Sequence, residues 1–154
     1  MDKSHRKLLI EQLDKKFDKL SELKNVDTPP KGWIYTIRTA LHMSLEQLAK
    51  RLHKTQSTVQ GYEAREADKK ITIQKLMEVA EALDCHFMYG FIPKDGSLNN
   101  TIEKRALLTA KEIVARTSHT MQLEDQGNSD ERLRNAIKSR AELIKNEIPK
   151  YLWD

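Results

Sequence analysis

The stretch Lys54-Thr-Gln-Ser-Thr-Val-Gln-Gly-Tyr-Glu63 gathers the side chains of this chain best suited to recognition chemistry. A glutamine amide donates and accepts at once, so it can bond an adenine edge at two positions. Serine and threonine hydroxyls can bond bases or phosphates. If Thr55 caps a helix that starts at Gln56, the exposed N–H groups of that helix also favour a phosphate. Gln56 and Ser57 are therefore the foremost base readers, with Gln60, Thr58 and Gly61 in the same stretch. Lys54, Thr55, Arg65, Lys69 and Lys70 are candidate phosphate contacts, which position a protein on a duplex without reading its sequence. Arg51 and Arg38 stand behind them as further cations.

Such residues need a scaffold that turns them outward. Ser44 and Gln47, three residues apart, form a capping box that starts a helix carrying Leu45, Leu48, Ala49 and Leu52 inward. The following short helix turns Val59 and Tyr62 inward. One small residue, Ala49, at a helix crossing, with Leu48, Leu52, Val59 and Tyr62 around it, is the packing code of a helix-turn-helix over residues 45–63. Helices this short persist only through that tertiary contact. The same code also suits a helical packing unit that binds no DNA; the polar second helix and its flanking bases favour nucleic acid. His53 stands where such turns often have glycine, and can take the positive φ required. Leu45 stands where a phosphate-contacting glutamine is common.

Elsewhere the periodicity is mainly helical. Residues 5–24 place Ile10, Leu13, Phe17 and Leu20 on one face, with Ser4 as the expected cap, and Pro29-Pro30 breaks the linker that follows. Helical spacing returns at Trp33 with Ile34, Ile37 and Leu41. Residues 64–71 read as a loop, and Thr72 caps a helix with Ile73, Leu76, Ala80 and Leu83 on one face. Phe87, Tyr89 and Phe91 alternate, which predicts a short β-strand over 86–92 closed by a turn at Pro93 to Gly96. That strand either covers its own core or pairs with its twin across a dimer two-fold. Two further helices follow, one through Ile102, Ala106, Ala110, Ile113 and Thr117, the other from Ser129 to Ile148, with a polar break at 122–128 between them. Trp153 reads as a packing anchor. The domain plan is an N-terminal helix and linker (1–31), a DNA-binding domain with the strand (32–93), and a C-terminal helical region for dimerisation or partner binding (94–154).

Composition bounds the alternatives. The chain has 154 residues, 38% hydrophobic and 32% charged, which suits a small core with solvated helices beside it. Lys and Arg exceed Asp and Glu by 27 to 23, a net charge of +4 that permits nucleic-acid binding. The single cysteine, Cys85, excludes an internal disulfide and fits a reducing compartment. The expected location is the cytoplasm, since neither a secretory leader nor a membrane-length apolar run is present. Cys85-His86 is the only suggestion of a metal ligand pair, and His5, His42, His53 and His119 are scattered, so no metal is expected. No nucleophile–base pair, phosphate-cradling glycine loop or catalytic carboxylate pair stands out; the expectation is a non-enzyme without a cofactor. RNA fits less well than DNA, because no aromatic stacking platform flanks the polar helix.

Residues 33–83 resemble the Xre/lambda-repressor type of helix-turn-helix domain. The resemblance implies an all-α fold: a lambda-repressor-like domain with an N-terminal helix, one short strand and C-terminal helices. It also implies a homodimer on double-stranded operator DNA, repressing its own operon. More narrowly, Gly32-Trp-Ile-Tyr-Thr-Ile-Arg-Thr-Ala-Leu-His-Met43, Ile71-Thr-Ile-Gln-Lys-Leu76 and Ala82-Leu-Asp-Cys-His-Phe-Met-Tyr-Gly-Phe-Ile-Pro93 resemble the mobile mystery protein A family. That resemblance implies a neighbouring gene for a Fic-domain toxin and an antitoxin role for this chain. Fic inhibitors often carry Ser/Thr-x-x-x-Glu-Gly/Asn; the nearest match is Thr120-Met-Gln-Leu-Glu124, followed by Asp125 instead.

Overall fold

The computed structural model describes residues 2–123 and 130–154, with the backbone alone for 120–123. These residues form α1 (Lys3–Leu20), α2 (Trp33–Ala40), α3 (Leu45–Leu52), α4 (Gln56–Ala67), α5 (Ile73–Ala82), α6 (Leu98–Leu123) and α7 (Asp130–Glu147). Short 3-10 turns lie at Ser21–Asn25 and Lys150–Trp153. The chain divides into two compact units, Asn25–Gly90 and the described residues of Met1–Lys24 with Phe91–Asp154.

In the unit Asn25–Gly90, local chemistry starts and stops each helix. Ser44 accepts from the Gln47 N–H at 3.1 Å while the Gln47 side chain accepts from the Ser44 N–H at 2.7 Å, completing the capping box. Thr55 accepts from Thr58 N–H at 3.1 Å and Thr72 from Lys75 N–H at 3.3 Å. The four helix ends share one device. His42, His53, Lys69 and Asp84 all have left-handed backbone, with φ of 54°, 52°, 59° and 55°. At each, paired N–H groups return to the last turn: His53 to Lys50 O and Lys54 to Ala49 O, for example, or Lys69 to Glu66 O and Lys70 to Arg65 O. Ile34, Leu48, Ala49, Val59, Tyr62, Val79 and Leu83 are buried together as the core. The small Ala49 lies in that core beside Leu48 and Val59, which are fully buried.

Polar contacts then fasten α4 to α2. The Arg38 guanidinium donates to Glu63 Oε1 at 2.6 Å and Oε2 at 3.3 Å, and to the Met43 carbonyl at 2.9 Å. Both side chains of this ion pair are about nine-tenths buried, at 10% and 11% exposure. Glu66 lies one turn further along α4. Its carboxylate accepts from the Trp33 and Ile34 N–H groups, each at 2.8 Å, and so caps α2 from another helix. Gly32 makes this possible: with φ of +83°, any Cβ there would lie 2.6 Å from Glu66 Oε2.

In the other unit, Ile102, Ala106 and Ala110 of α6 pack with Ile144 of α7 and with Leu152. Asp14 of α1 accepts from Leu98 N–H at 2.7 Å and Asn99 N–H at 3.2 Å, capping α6 much as Glu66 caps α2. Arg105 donates twice to the Leu152 carbonyl, at 2.8 and 3.1 Å.

Several sequence expectations need correction. Among the described residues there is no β-strand: 86–92 carries no regular secondary structure and no ladder. Alternation of Phe87, Tyr89 and Phe91 is what a strand requires of its side chains, but a strand also needs a second segment bonded to it, and every regular element among the described residues is a helix. Phe87 and Tyr89 instead stack at 6.2 Å between ring centroids, and Phe91 is 82% exposed. Residues 64–67, expected as loop, continue α4, because Glu66 and the Lys69 turn finish the helix later. Asp2, not Ser4, caps α1. Leu41 is exposed beyond the end of α2, and the terminal anchor is Leu152, while Trp153 is half exposed. The Thr120–Glu124 pattern lies outside the residues whose side chains are described. No helix among the described residues is long and apolar enough to cross a membrane.

Two stability measurements check these packing claims. His53→Gly should stabilise the unit by about 1 kcal/mol, since glycine carries no Cβ penalty in the left-handed region; a loss of stability in urea unfolding contradicts the turn geometry. Arg38→Met should cost about 3–5 kcal/mol by stranding the Glu63 carboxylate, and adding Glu63→Leu should restore most of it. A double variant as unstable as the single one contradicts a desolvated pair.

Candidate nucleic-acid interface

The Thr55 cap fixes where α4 begins, and Val59 and Tyr62, on one face of it, fix which side turns inward. Gln56, Ser57 and Gln60 consequently stand on the exposed side, and their side chains make no hydrogen bond among the described residues. Their amides and hydroxyl are available to a base edge. Thr58 is half-buried, with its hydroxyl 2.8 Å from that of Thr55. Those two hydroxyls hold the cap together, so Thr58 is more constrained as a reader than its neighbours. Gly61 is half-buried under the Arg65 guanidinium, which lies 5.3 Å from the centre of the Tyr62 ring.

The flanking cations separate into two groups. Lys54 and Lys69 are exposed and carry no ion pair among the described residues. Lys54 adjoins the first turn of α4, where its ammonium adds to the positive end of the helix dipole. Lys70 stands 3.8 Å from Asp68, an exposed and therefore weak pairing. Arg51 is engaged elsewhere, donating to Asp84 at 3.0 Å and to the Ala82 carbonyl at 2.7 Å. Arg38 is buried on Glu63 and is a structural cation. Neither of these two arginines is placed as a phosphate contact. Behind α4, the Lys75 ammonium is pushed above its ordinary range, first by its hydrogen bond to Glu78, with desolvation opposing and Tyr62 adding a smaller push.

The electrostatic result is set by Glu63 and Glu66, whose part sequence spacing missed. α4 contains two carboxylates, Glu63 and Glu66, and both are turned onto α2. One is neutralised by Arg38 and the other by the positive end of the α2 dipole. The outward residues Gln56, Ser57, Gln60 and Arg65 therefore present amides, a hydroxyl and one cation, with no carboxylate among them. A surface opposed to a phosphate backbone needs this arrangement, since each exposed carboxylate would be repelled by it. The available signal was Gly32 at the start of α2, where a serine, threonine or aspartate cap is absent and another helix has to supply one.

Among the described residues no group of three His, Cys, Asp or Glu side chains is assembled to hold a metal ion. No buried side-chain polar atom among them lacks a hydrogen-bond partner.

Comparison with known proteins agrees with this geometry. Residues 34–89 match the family model described as Helix-turn-helix. No match was found among curated proteins or among solved structures. The matched span begins in α2, contains the whole of α3, α4 and α5, and ends in the irregular segment after them. It includes the Ala49, Val59 and Tyr62 seat, the Thr55 cap and the polar start of α4. Residues 34–89 of this chain are a DNA-binding helix-turn-helix domain of the Xre type.

Proposed function

We propose that the protein is a sequence-specific transcriptional regulator that occupies an operator as a homodimer and represses its own operon. The observation that carries this reading is the exposed, carboxylate-free face of α4, with Gln56, Ser57 and Gln60 unbonded at its N-terminal half. In the major groove these residues contact base edges, while Lys54, Thr55, Arg65, Lys69 and Lys70 anchor phosphates on either side. Two copies bind two half-sites because a two-fold symmetric protein matches a near-palindromic sequence. Repression then needs only steric exclusion of polymerase, and no covalent step.

A second reading, that the chain also restrains an adjacently encoded Fic-domain toxin, rests on the narrower resemblance of Gly32–Met43 and Ala82–Pro93. It is compatible with DNA binding. Co-purification with the product of the neighbouring gene tests it.

Base reading and phosphate anchoring give different mutational signatures. Gln56→Ala should cost on the order of 1–3 kcal/mol on the preferred operator and relax selection at one base pair. Equal losses on every sequence remove Gln56 from the readers. Lys54→Ala should weaken binding to all duplexes and lower the salt slope by about one; an unchanged slope in a titration across salt concentrations removes Lys54 from the anchors.

A further inference from the structure

Gly61 sits inside the 12-residue helix α4, where glycine is less favourable than alanine. Its backbone does not ask for glycine: among the described residues the positive-φ glycines are Gly32 and Gly96, and Gly61 is ordinary helix. A Cβ built at Gly61 meets the Arg65 guanidinium, with Nη1 at 3.2 Å, Nη2 at 3.7 Å and Cζ at 3.8 Å. These two residues are one helical turn apart, and helical side chains lean toward the N-terminus, so the arginine lies back along α4, close against the place where a side chain at 61 would stand. The Tyr62 ring, fixed in the core at 5% exposure, faces the guanidinium at 5.3 Å and gives it a rest. Arg65 is exposed and has no carboxylate partner among the described residues, because its neighbour Glu66 is committed to α2.

We infer that Gly61 is a positioning residue for Arg65: the missing side chain lets the guanidinium lie one turn nearer the base-reading end of α4, over Tyr62, where it anchors a DNA phosphate. This rests on the DNA-binding reading above and deepens it. A guanidinium resting on a fixed ring loses less freedom on binding a phosphate than one swinging in solvent. A methyl group at 61 crowds Nη1 at 3.2 Å, so the far end of Arg65 must give by a few tenths of an ångström, while the core stays untouched. Helix stability and DNA affinity should therefore move in opposite directions on substitution.

The test uses the full chain, titrated with duplex from upstream of its own gene at several salt concentrations, as wild type, Gly61→Ala, Arg65→Ala and the double variant. Gly61→Ala should unfold at the same temperature or higher, yet bind about fivefold more weakly near 0.15 M salt, with a salt slope lower by about one, as loss of a single phosphate contact requires. Arg65→Ala should show the same loss on every sequence, and the double variant should bind no worse than Arg65→Ala. A Gly61→Ala penalty that persists without Arg65 means that DNA approaches Gly61 itself, and overturns the inference. So does unchanged affinity in Gly61→Ala, or a loss confined to one base pair. If the wild type binds its upstream DNA and Arg65→Ala is indifferent, this inference fails while the DNA-binding reading stands; wild type that ignores DNA removes both.

Discussion

The candidate interface depends on where α4 sends its two carboxylates. A helix that is to lie against phosphates cannot show them, yet Glu63 and Glu66 fall within its twelve residues. Both are spent on α2, one against a buried guanidinium and the other against the free N–H groups of its first turn. The same contacts that remove negative charge from the outer face fix the orientation of α4 on the domain. Val59 and Tyr62 give the helix an apolar seat, which alone resists rotation weakly because hydrophobic burial is non-directional. The charged hydrogen bonds add direction, and their partners lie 25 to 33 residues away in sequence. Neutralising the carboxylates and aiming the polar face outward are thus one structural act.

Much of the fold was legible because it is written locally. Ser44 with Gln47, Thr55 and Thr72 announce helix starts through contacts three residues apart, and those caps form. His53 could be assigned a left-handed turn from its place after Leu52, and its φ is 52°. The apolar spacing located Leu48, Ala49, Val59 and Tyr62 in the core. The exposed positions of Gln56, Ser57 and Gln60 followed from the same spacing.

What escaped sequence reading was written over distance. Nothing within a few residues of Arg38 points to Glu63, and nothing near Trp33 points to Glu66; Asp14 and the start of α6 are a third such pair. Arg38 and Arg51 resembled phosphate anchors because an arginine's partner is invisible in a linear pattern. The strand over 86–92 failed for the complementary reason. Its alternation is a local property, whereas a ladder requires a second segment to bond, and every regular element among the described residues is a helix. The end of α4 was placed too early because a charged run resembles a loop until its carboxylates are known to face a neighbour.

On the proposed reading, the outer face of α4 reads a duplex. The most direct test is a titration comparing DNA from upstream of the protein's own gene with random duplex of equal length, at one physiological salt concentration. Binding to the upstream DNA should be tighter by a factor of about a thousand or more, the span that separates specific from non-specific association. Equal affinity for the two duplexes would contradict that reading.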